Sequence, residues 1–250
     1  MFHIKKHLRA AAGSGICLAV LTAVPLLAWI SGWHWNPHQQ SPLISGFYFA
    51  TETVSNPAGI VTTLLLVAWL LWIIRPDKTR LWLCAVVLMA PIAVGQLSVS
   101  VLKRCVQEPR PYAVWLNHND PQAIQQFYVQ DPAERGMTVL ETLKSDTTIP
   151  VWQKEHWANE SSWSFPSGHT IFAATWALLG MGILWPRKRY VAAIVLLAWA
   201  TSVLVSRLLL GMHWPVDLLA SIGLAFVITR PSLAIINHYV PRYQHTFLPE

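Results

Sequence analysis

The chain has 250 residues, of which 54% are hydrophobic and 12% are charged, and its formal net charge is +6. Charged residues form about a quarter of an average soluble domain, so this composition excludes an ordinary soluble protein and favours a membrane protein. The basic residues are dispersed along the chain, so the positive charge does not indicate nucleic-acid binding.

Six apolar stretches are candidates for transmembrane helices, because an α-helix needs roughly 20 residues to cross a bilayer. The sequence therefore predicts an all-α, polytopic membrane bundle of six helices that forms one domain over residues 1–250. The last stretch is short and contains Asp217, so five spans plus a buried helix is the alternative. The stretches lie at residues 11–33, 58–74, 81–102, 168–185, 190–206 and 214–229.

The first stretch follows a basic start, so a secretory signal that is cleaved must be considered. Its apolar run is long for a signal, and Trp29, Trp33 and Trp35 follow it where an interfacial aromatic belt is expected. An uncleaved first span is the preferred interpretation.

Basic residues flank the stretches unevenly, and Lys and Arg are enriched in cytoplasmic loops. Their distribution predicts cytoplasmic N- and C-termini, with residues 34–56 and a polar insert at 103–165 on the opposite side. The insert is too small for a separate core, so we expect short helices and loops over the mouth of the bundle. The flanking residues are Lys5, Lys6, Arg9, Arg75, Lys78, Arg80, Arg187, Lys188, Arg189, Arg230 and Arg242.

Three polar motifs interrupt the apolar chain, and each lies where a predicted span meets the non-cytoplasmic surface. Distant segments should therefore converge on one mouth of the bundle. The fourth and sixth spans also begin there, which points their free backbone amides toward a bound anion. The motifs are Lys103-x6-Arg110-Pro111, Pro166-Ser167-Gly168-His169 and Ser206-Arg207-x5-His213-x3-Asp217.

Together the motifs supply two imidazoles, one carboxylate and three permanent cations, which suits chemistry on a phosphate. His213 and Asp217 are four residues apart and share a helix face. The carboxylate can therefore accept one imidazole N–H and leave the other nitrogen to face phosphorus. A capping pair at the membrane interface is the alternative. The motifs demand no metal, because the cations fill the role of magnesium, and the three scattered cysteines have no zinc spacing.

The ordered motifs resemble those of the type 2 phosphatidic acid phosphatase superfamily, which also includes vanadium-dependent haloperoxidases. Residues 106–116, 134–136 and 208–215 are similar to bacterial members. The resemblance implies a cofactor-free lipid phosphatase of the bacterial inner membrane that forms a phosphohistidine and has its site on the periplasmic face. The implied substrates are phosphatidylglycerol phosphate, phosphatidic acid, diacylglycerol pyrophosphate and undecaprenyl pyrophosphate.

The resemblance also implies a role for each motif residue. His213 is the nucleophile, Asp217 orients it, and His169 is the general acid and base. A cation clamp suits phosphoryl transfer, in which charge spreads over the phosphate oxygens. The implied phosphate ligands are Lys103, Arg110, Ser167, Gly168 and Arg207.

Several residues near the motifs could touch a head group, but a solvated loop position is the preferred interpretation for each of them. They are Glu108, His118, His156 and Glu160. Aromatic side chains of the insert either line a lipid entry or serve packing and interfacial anchoring. These are Trp115, Phe127, Trp152, Trp157 and Trp163.

Two rival functions stay open at this point. A lipid phosphotransferase would keep the phosphoenzyme but pass the phosphoryl group to a lipid acceptor. A non-enzymatic transporter of anions or lipids would explain buried cations but not the pairing of His213 with Asp217. The expected partners are membrane lipid phosphates and the bilayer; no nucleic acid and no obligate protein partner is inferred.

Overall fold

The computed structural model describes residues 2–39 and 41–239, so Arg242 lies outside the described residues. Within these ranges the chain is all-α and contains no β-strand. A short 3-10 turn, Trp185–Arg187, follows α9. The helices are α1 (Phe2–Ile30), α2 (Pro42–Glu52), α3 (Ala58–Ile74), α4 (Lys78–Val106), α5 (Pro111–Leu116), α6 (Pro121–Val129), α7 (Pro132–Thr142), α8 (Val151–Asn159), α9 (Gly168–Leu184), α10 (Tyr190–Leu209) and α11 (Pro215–Tyr239).

Five helices, α1, α4, α9, α10 and α11, are long and apolar enough to cross a membrane. The second predicted span, α3, is apolar but has only 17 residues. Prolines explain its length. The helix starts directly after Pro57 and ends at Ile74, and the next residue, Arg75, has a left-handed backbone (φ 44) and precedes Pro76. A residue before proline is disfavoured in the α conformation, so α3 cannot continue.

The last helix, α11, differs from the expectation that it is the weakest span. It extends to Tyr239, beyond the predicted end at residue 229, and it meets the length and apolarity needed for a span. Asp217 lies in its first turn, where an acidic side chain interacts favourably with the helix dipole. The charge is therefore at the end of the helix and leaves the apolar run after it intact.

The central helix of the bundle is α9, in which every residue from Thr170 to Leu184 is buried. It packs against α1, α4, α10 and α11. Small residues allow this close packing, since a Cβ atom at Gly182 would lie 2.6 Å from Leu233 Cδ2 on α11. A helix that is apolar on all sides is normally surrounded by other elements, as α9 is.

The outward faces of the bundle are apolar. On α3, the side chains of Ile60, Leu64, Leu65 and Trp72 are each at least 60% exposed. Contiguous apolar surface of this kind is rare on soluble proteins and suits contact with lipid.

The polar segment between α4 and α9 contains the four short helices α5 to α8. Proline is the first residue of α5, α6 and α7, where its missing N–H costs nothing. Asp120 caps α6, and Asp131 forms a capping box with Glu134 at the start of α7. Local sequence signals therefore define these helices even though the segment is short.

The short helices share a small buried cluster with residues from elsewhere in the chain. Tyr112 and Trp157 stack in parallel at its centre, with ring centroids 5.2 Å apart. Ile44 of α2 and Met212 of the turn between α10 and α11 belong to the same cluster. The insert therefore packs against α2 and the turn between α10 and α11, in a cluster separate from the core of the long helices.

Helix α2 lies between the first two apolar stretches and is not among the predicted elements. Ser41 caps it by accepting a hydrogen bond from the N–H of Leu43. Leu43 and Phe49 are exposed, whereas Thr51 is fully buried against α10. The carboxyl end of α2 thereby reaches the interior of the bundle.

Candidate active site

The three motifs meet around one cavity of about 840 Å³. Lys103, Arg110, His169 and His213 all line it. Arg207 is fully buried and lies directly behind the wall. Residues more than 100 positions apart in the sequence therefore surround a single pocket.

The turn between α10 and α11 sets the position of His213. Gly211 has a left-handed backbone (φ +66), and a Cβ atom there would lie 2.4 Å from the ring of Trp35, so only glycine fits. The backbone N–H of His213 donates to the carbonyl of Arg207 (3.2 Å). Pro215 then starts α11, a position that proline favours.

His213 and Asp217 form a buried pair, with His213 Nδ1 3.1 Å from Asp217 Oδ2. A carboxylate only accepts hydrogen bonds, so Nδ1 carries the proton and Nε2 is left with a free lone pair for the cavity. Burial, together with the positive charges of Arg110 and Arg207, holds the pKa of His213 well below its usual range. The imidazole is therefore neutral and nucleophilic.

Ser164 also contacts this pair and was missed in the sequence. Its Oγ donates to Asp217 Oδ2 (2.5 Å) and lies 3.3 Å from His213 Nδ1. Its backbone N–H donates to the carbonyl of Glu108 (2.7 Å), which fixes the segment before the second motif against the first. Ser164 is fully buried. A serine five residues before the histidine of the second motif was the only available signal.

The guanidinium of Arg207 is held on two sides. Nη1 donates to Thr51 Oγ1 (2.7 Å) and lies 3.3 Å from His156 Nε2, while Nη2 donates to Glu160 Oε2 (2.5 Å). Thr51 lies at the end of α2, 156 positions away in sequence. This contact explains why α2 belongs to the site and why no local pattern reveals it.

Arg110 and Lys103 converge on the segment after α8. Arg110 Nε donates to the carbonyl of Ser162 (2.6 Å), and its Nη2 donates to the hydroxyl of the same residue (3.1 Å). Lys103 Nζ donates to that hydroxyl as well (3.2 Å) and to the carbonyl of Trp163. Both side chains are therefore oriented by backbone and hydroxyl oxygens of this segment.

His169 lies at the start of α9, and its Nε2 is 3.1 Å from Ser55 Oγ and 3.2 Å from Glu160 Oε1. Gly168, which begins the helix, also lines the cavity. The first amides of a helix have no partner within it and can donate to an anion.

Ser167 has a different place from the one expected of a phosphate ligand. Its Oγ caps α9 by accepting from Thr170 N (3.2 Å), and its backbone N–H donates to Ser221 Oγ (2.9 Å). Ser167 is fully buried, and it is not among the residues that line the cavity. Ser167 therefore caps α9, the helix that carries His169, and fixes where this helix begins.

The expectation for Glu160 is wrong, because its carboxylate lies inside the cavity. It binds Arg207 Nη2, is 3.7 Å from Arg110 Nη1, and contacts His169 with its other oxygen. Burial alone would raise the pKa of Glu160, but its neighbours, first of all the charge of Arg207, hold it well below its usual range. Glu160 is therefore an ionised carboxylate among the cations, which sequence position alone does not reveal.

His156 is also not a solvated residue. It is 4% exposed, and besides Arg207 it contacts Glu52 Oε1 through its Nδ1 (3.3 Å). Glu108 is partly buried, and its carbonyl accepts from Ser164. His118 is exposed, as expected.

The aromatic side chains of the insert pack and do not line the cavity. Trp157 and Phe127 are buried in the cluster under the short helices, and Trp163 stacks on Tyr128 with ring centroids 3.8 Å apart. The packing alternative is therefore the correct one for these residues. Apolar character alone does not distinguish the two alternatives.

Positive charge in the cavity comes from lysine and arginine side chains. Within residues 2–39 and 41–239, no group of three or more His, Cys, Asp or Glu side chains is arranged to hold a metal ion. Cys17 and Cys84 are buried and Cys105 is exposed, and all three are free.

Comparison with known families agrees with this arrangement. The model of the PAP2 superfamily matches residues 81–240, a range that contains all three motifs, and the chain belongs to that superfamily. The sequence is also similar to curated proteins over most of its length. Phosphatidylglycerophosphatase B of Escherichia coli (strain K12) is 46% identical over 203 residues, which cover 81% of this chain and 80% of that protein.

A more distant relative has the same name. Phosphatidylglycerophosphatase B of Haemophilus influenzae is 32% identical over 216 residues, which cover 84% of this chain and 89% of that protein. The expected superfamily and the expected enzyme class, a phosphatase, are confirmed.

Proposed function

We propose that this integral membrane lipid phosphatase hydrolyses phosphatidylglycerol phosphate and related lipid phosphates through a phosphohistidine on His213. The observation that carries the proposal is the Glu160 carboxylate, an anion held by Arg207, Arg110 and His169 in the cavity that His213 lines. Cations that bind a carboxylate in this way also suit a phosphate. Phosphatidic acid, diacylglycerol pyrophosphate and undecaprenyl pyrophosphate belong to the same proposed substrate class.

In the first step, the lone pair of His213 Nε2 attacks phosphorus. A P–N bond forms as the bond from phosphorus to the lipid oxygen breaks. The contact of Nδ1 with Asp217 Oδ2 (3.1 Å) supports this role, because it keeps the proton on the nitrogen that does not react. The carboxylate also stabilises the positive charge that develops on the imidazole ring.

His169 is the proposed acid of the first step and base of the second. It gives its proton to the leaving alkoxide and then takes a proton from the water that attacks the phosphohistidine, so that the P–N bond breaks and inorganic phosphate leaves. Its place in the lining of the same cavity as His213, with Nε2 beside Glu160, supports this role.

Lys103, Arg110 and Arg207 are the proposed clamp on the phosphate oxygens, with the amide end of α9 at Gly168. Such preorganised charges stabilise the transition state of phosphoryl transfer. Ser167 supports the clamp by capping α9.

The apolar part of the cavity lining supports a lipid substrate. It includes Ile60 of α3, Ile92 and Val99 of α4, and Phe172 of α9. Ile60 is 61% exposed on the apolar outer face of α3, so part of the lining adjoins the lipid-facing surface. A phosphate on a membrane-embedded tail fits a cavity that has both polar and apolar lining residues.

For the topology we propose six spans, with α3 as the second. A helix of 17 residues is at the lower limit for crossing a bilayer, and the exposed apolar face of α3 supports this assignment. The proposed location is the bacterial inner membrane, with cytoplasmic termini and the cavity facing the periplasm, as the basic residues indicate.

Release of inorganic phosphate by the detergent-purified protein tests the function. Phosphatidylglycerol phosphate, phosphatidic acid, diacylglycerol pyrophosphate and undecaprenyl pyrophosphate are each supplied without a lipid acceptor. We expect release by the wild type, none by His213→Ala, and wild-type release by His34→Ala, a control at an exposed histidine outside the cavity. Transfer only to an added lipid would identify a phosphotransferase. Absence of any phosphoryl chemistry would contradict the proposal.

A further inference from the structure

A second chain of hydrogen-bonded side chains that includes a histidine lies near the pair formed by His213 and Asp217. Glu52 Oε1 is 3.3 Å from His156 Nδ1, and His156 Nε2 is 3.3 Å from Arg207 Nη1. His156 is 4% exposed and Arg207 is fully buried, whereas the Glu52 side chain is 40% exposed at the rim of the cavity. None of the three motifs includes Glu52 or His156.

The donors and acceptors around His156 determine the protonation and the tautomer of its imidazole. A guanidinium has only donors, so Nε2 must be the acceptor of the Arg207 N–H. The proton then lies on Nδ1, where it is donated to the Glu52 carboxylate. His156 is therefore neutral, and Glu52 selects the tautomer that Arg207 requires.

This contact holds Arg207 in one orientation. Both hydrogens of Nη1 have acceptors, one in Thr51 Oγ1 (2.7 Å) and one in His156 Nε2, while Nε has no partner among the described residues. With Nη1 fixed from behind, Nη2 points to the Glu160 carboxylate in the cavity. We propose that His156, whose tautomer Glu52 selects, is a positioning residue that orients Arg207 toward the substrate phosphate. This inference rests on the proposed function.

Protonation of His156 would abolish the contact, because Nε2–H would face an N–H of Arg207 and two positive charges would adjoin. The titratable and charged groups around His156 are Tyr48 and Glu52 of α2, Arg207 of α10, His169 of α9 and Glu160. The contact with Arg207 therefore requires the neutral imidazole.

Two substitutions at this position test the inference. His156→Ala removes the acceptor, and we expect kcat/KM to fall about 10- to 100-fold, the range known for residues that orient a functional ligand in metal sites. His156→Gln keeps an acceptor for Arg207 and a donor for Glu52. It should therefore retain most of the wild-type kcat/KM, a rescue that a purely structural role of the imidazole would not give.

Binding of orthovanadate, which mimics phosphate, gives a readout without turnover. Ligand binding raises the unfolding temperature in detergent, so the shift at fixed vanadate measures affinity. We expect a smaller shift for His156→Ala than for wild type or His156→Gln, and an unchanged shift for the control His34→Ala.

The outcomes separate the two proposals. A wild-type protein that releases phosphate, with His156→Ala equal to it in kcat/KM and vanadate shift, would overturn the inference alone. If His156→Ala does not fold, a folded His156→Gln protein that keeps both hydrogen bonds but loses kcat/KM and the vanadate shift overturns it as well. A wild-type protein that performs no phosphoryl chemistry contradicts the proposed function, and the vanadate shifts then still decide the role of His156.

Discussion

Asp217→Asn should reduce kcat only about 10-fold, whereas Asp217→Ala should reduce it about 10³- to 10⁴-fold. In serine proteases the substitution of the triad aspartate by asparagine costs about 10⁴-fold, because it produces the wrong imidazole tautomer. Here the backbone N–H of Trp214 donates to the same oxygen, Oδ2, as His213 (3.0 Å). An N–H can only donate, so the asparagine must keep its oxygen at that position.

The expected loss of kcat for each substitution follows from the interaction that the substitution removes. With its oxygen retained, asparagine preserves the tautomer of His213 and loses only the charge of the acceptor. Hydrogen bonds to charged groups contribute about 1.5–3 kcal/mol and neutral ones about 0.5–1.5 kcal/mol. The difference of about 1–1.5 kcal/mol corresponds to about 10-fold in rate. Alanine removes the acceptor and with it control of the tautomer.

The assay is phosphate release at saturating lipid phosphate, with protein folding checked by thermal unfolding in detergent. Asp77→Asn, at an exposed position between α3 and α4, is the matched control and should have wild-type kcat. If Asp217→Asn loses as much activity as Asp217→Ala while both remain folded, the amide inverts and Trp214 does not fix its orientation.

Three further predictions follow from the proposed mechanism and topology. With an activated aryl phosphate, which departs without protonation, His169→Ala should still form an acid-labile, base-stable phosphoenzyme and His213→Ala none; trapping on His213→Ala instead would reverse the roles. In a cysteine-free background, cysteine at Asp120 should react with an impermeant thiol reagent added from the periplasmic side and cysteine at Lys188 should not, and the opposite pattern would put the cavity in the cytoplasm. Excess chelator should leave activity unchanged, whereas a loss restored only by magnesium or zinc would show that the cations are not sufficient.

The parts of the site that could be predicted depend on local geometry. Residues four apart on a helix share a face, so the spacing of His213 and Asp217 predicts their contact at the start of α11. The charges of the motifs likewise predict a cationic pocket. The carboxylate of Glu160 could not be found in this way, because its contact with Arg207 spans 47 positions and depends on how the short helices pack.

In the fold, too, some elements could be predicted from the local sequence and others could not. Apolar length predicts the helices at the centre of the bundle, but it does not predict α2, whose 11 residues have no long apolar run. Thr51 at its end reaches Arg207 only because α2 packs on α10. The prolines at positions 57 and 76 limit α3 more strongly than its apolar composition suggests. Tertiary packing and helix breakers therefore account for the differences.

The carboxylate of Glu160 gives the resting protein an internal counterion. Arg110 and Arg207 would repel one another if both were buried without an anion, which is costly in a desolvated site. Under the proposed function, substrate binding becomes an exchange of one anion for another, and the net gain is the difference between their contacts. Because the contacts of Glu160 are lost when the phosphate binds, the affinity for the substrate in its ground state is lowered. Ground-state affinity by itself does not accelerate the chemical step. The Glu160 carboxylate also competes with inorganic phosphate for the two arginines. The same side chain that neutralises the arginines in the absence of substrate therefore assists release of the product.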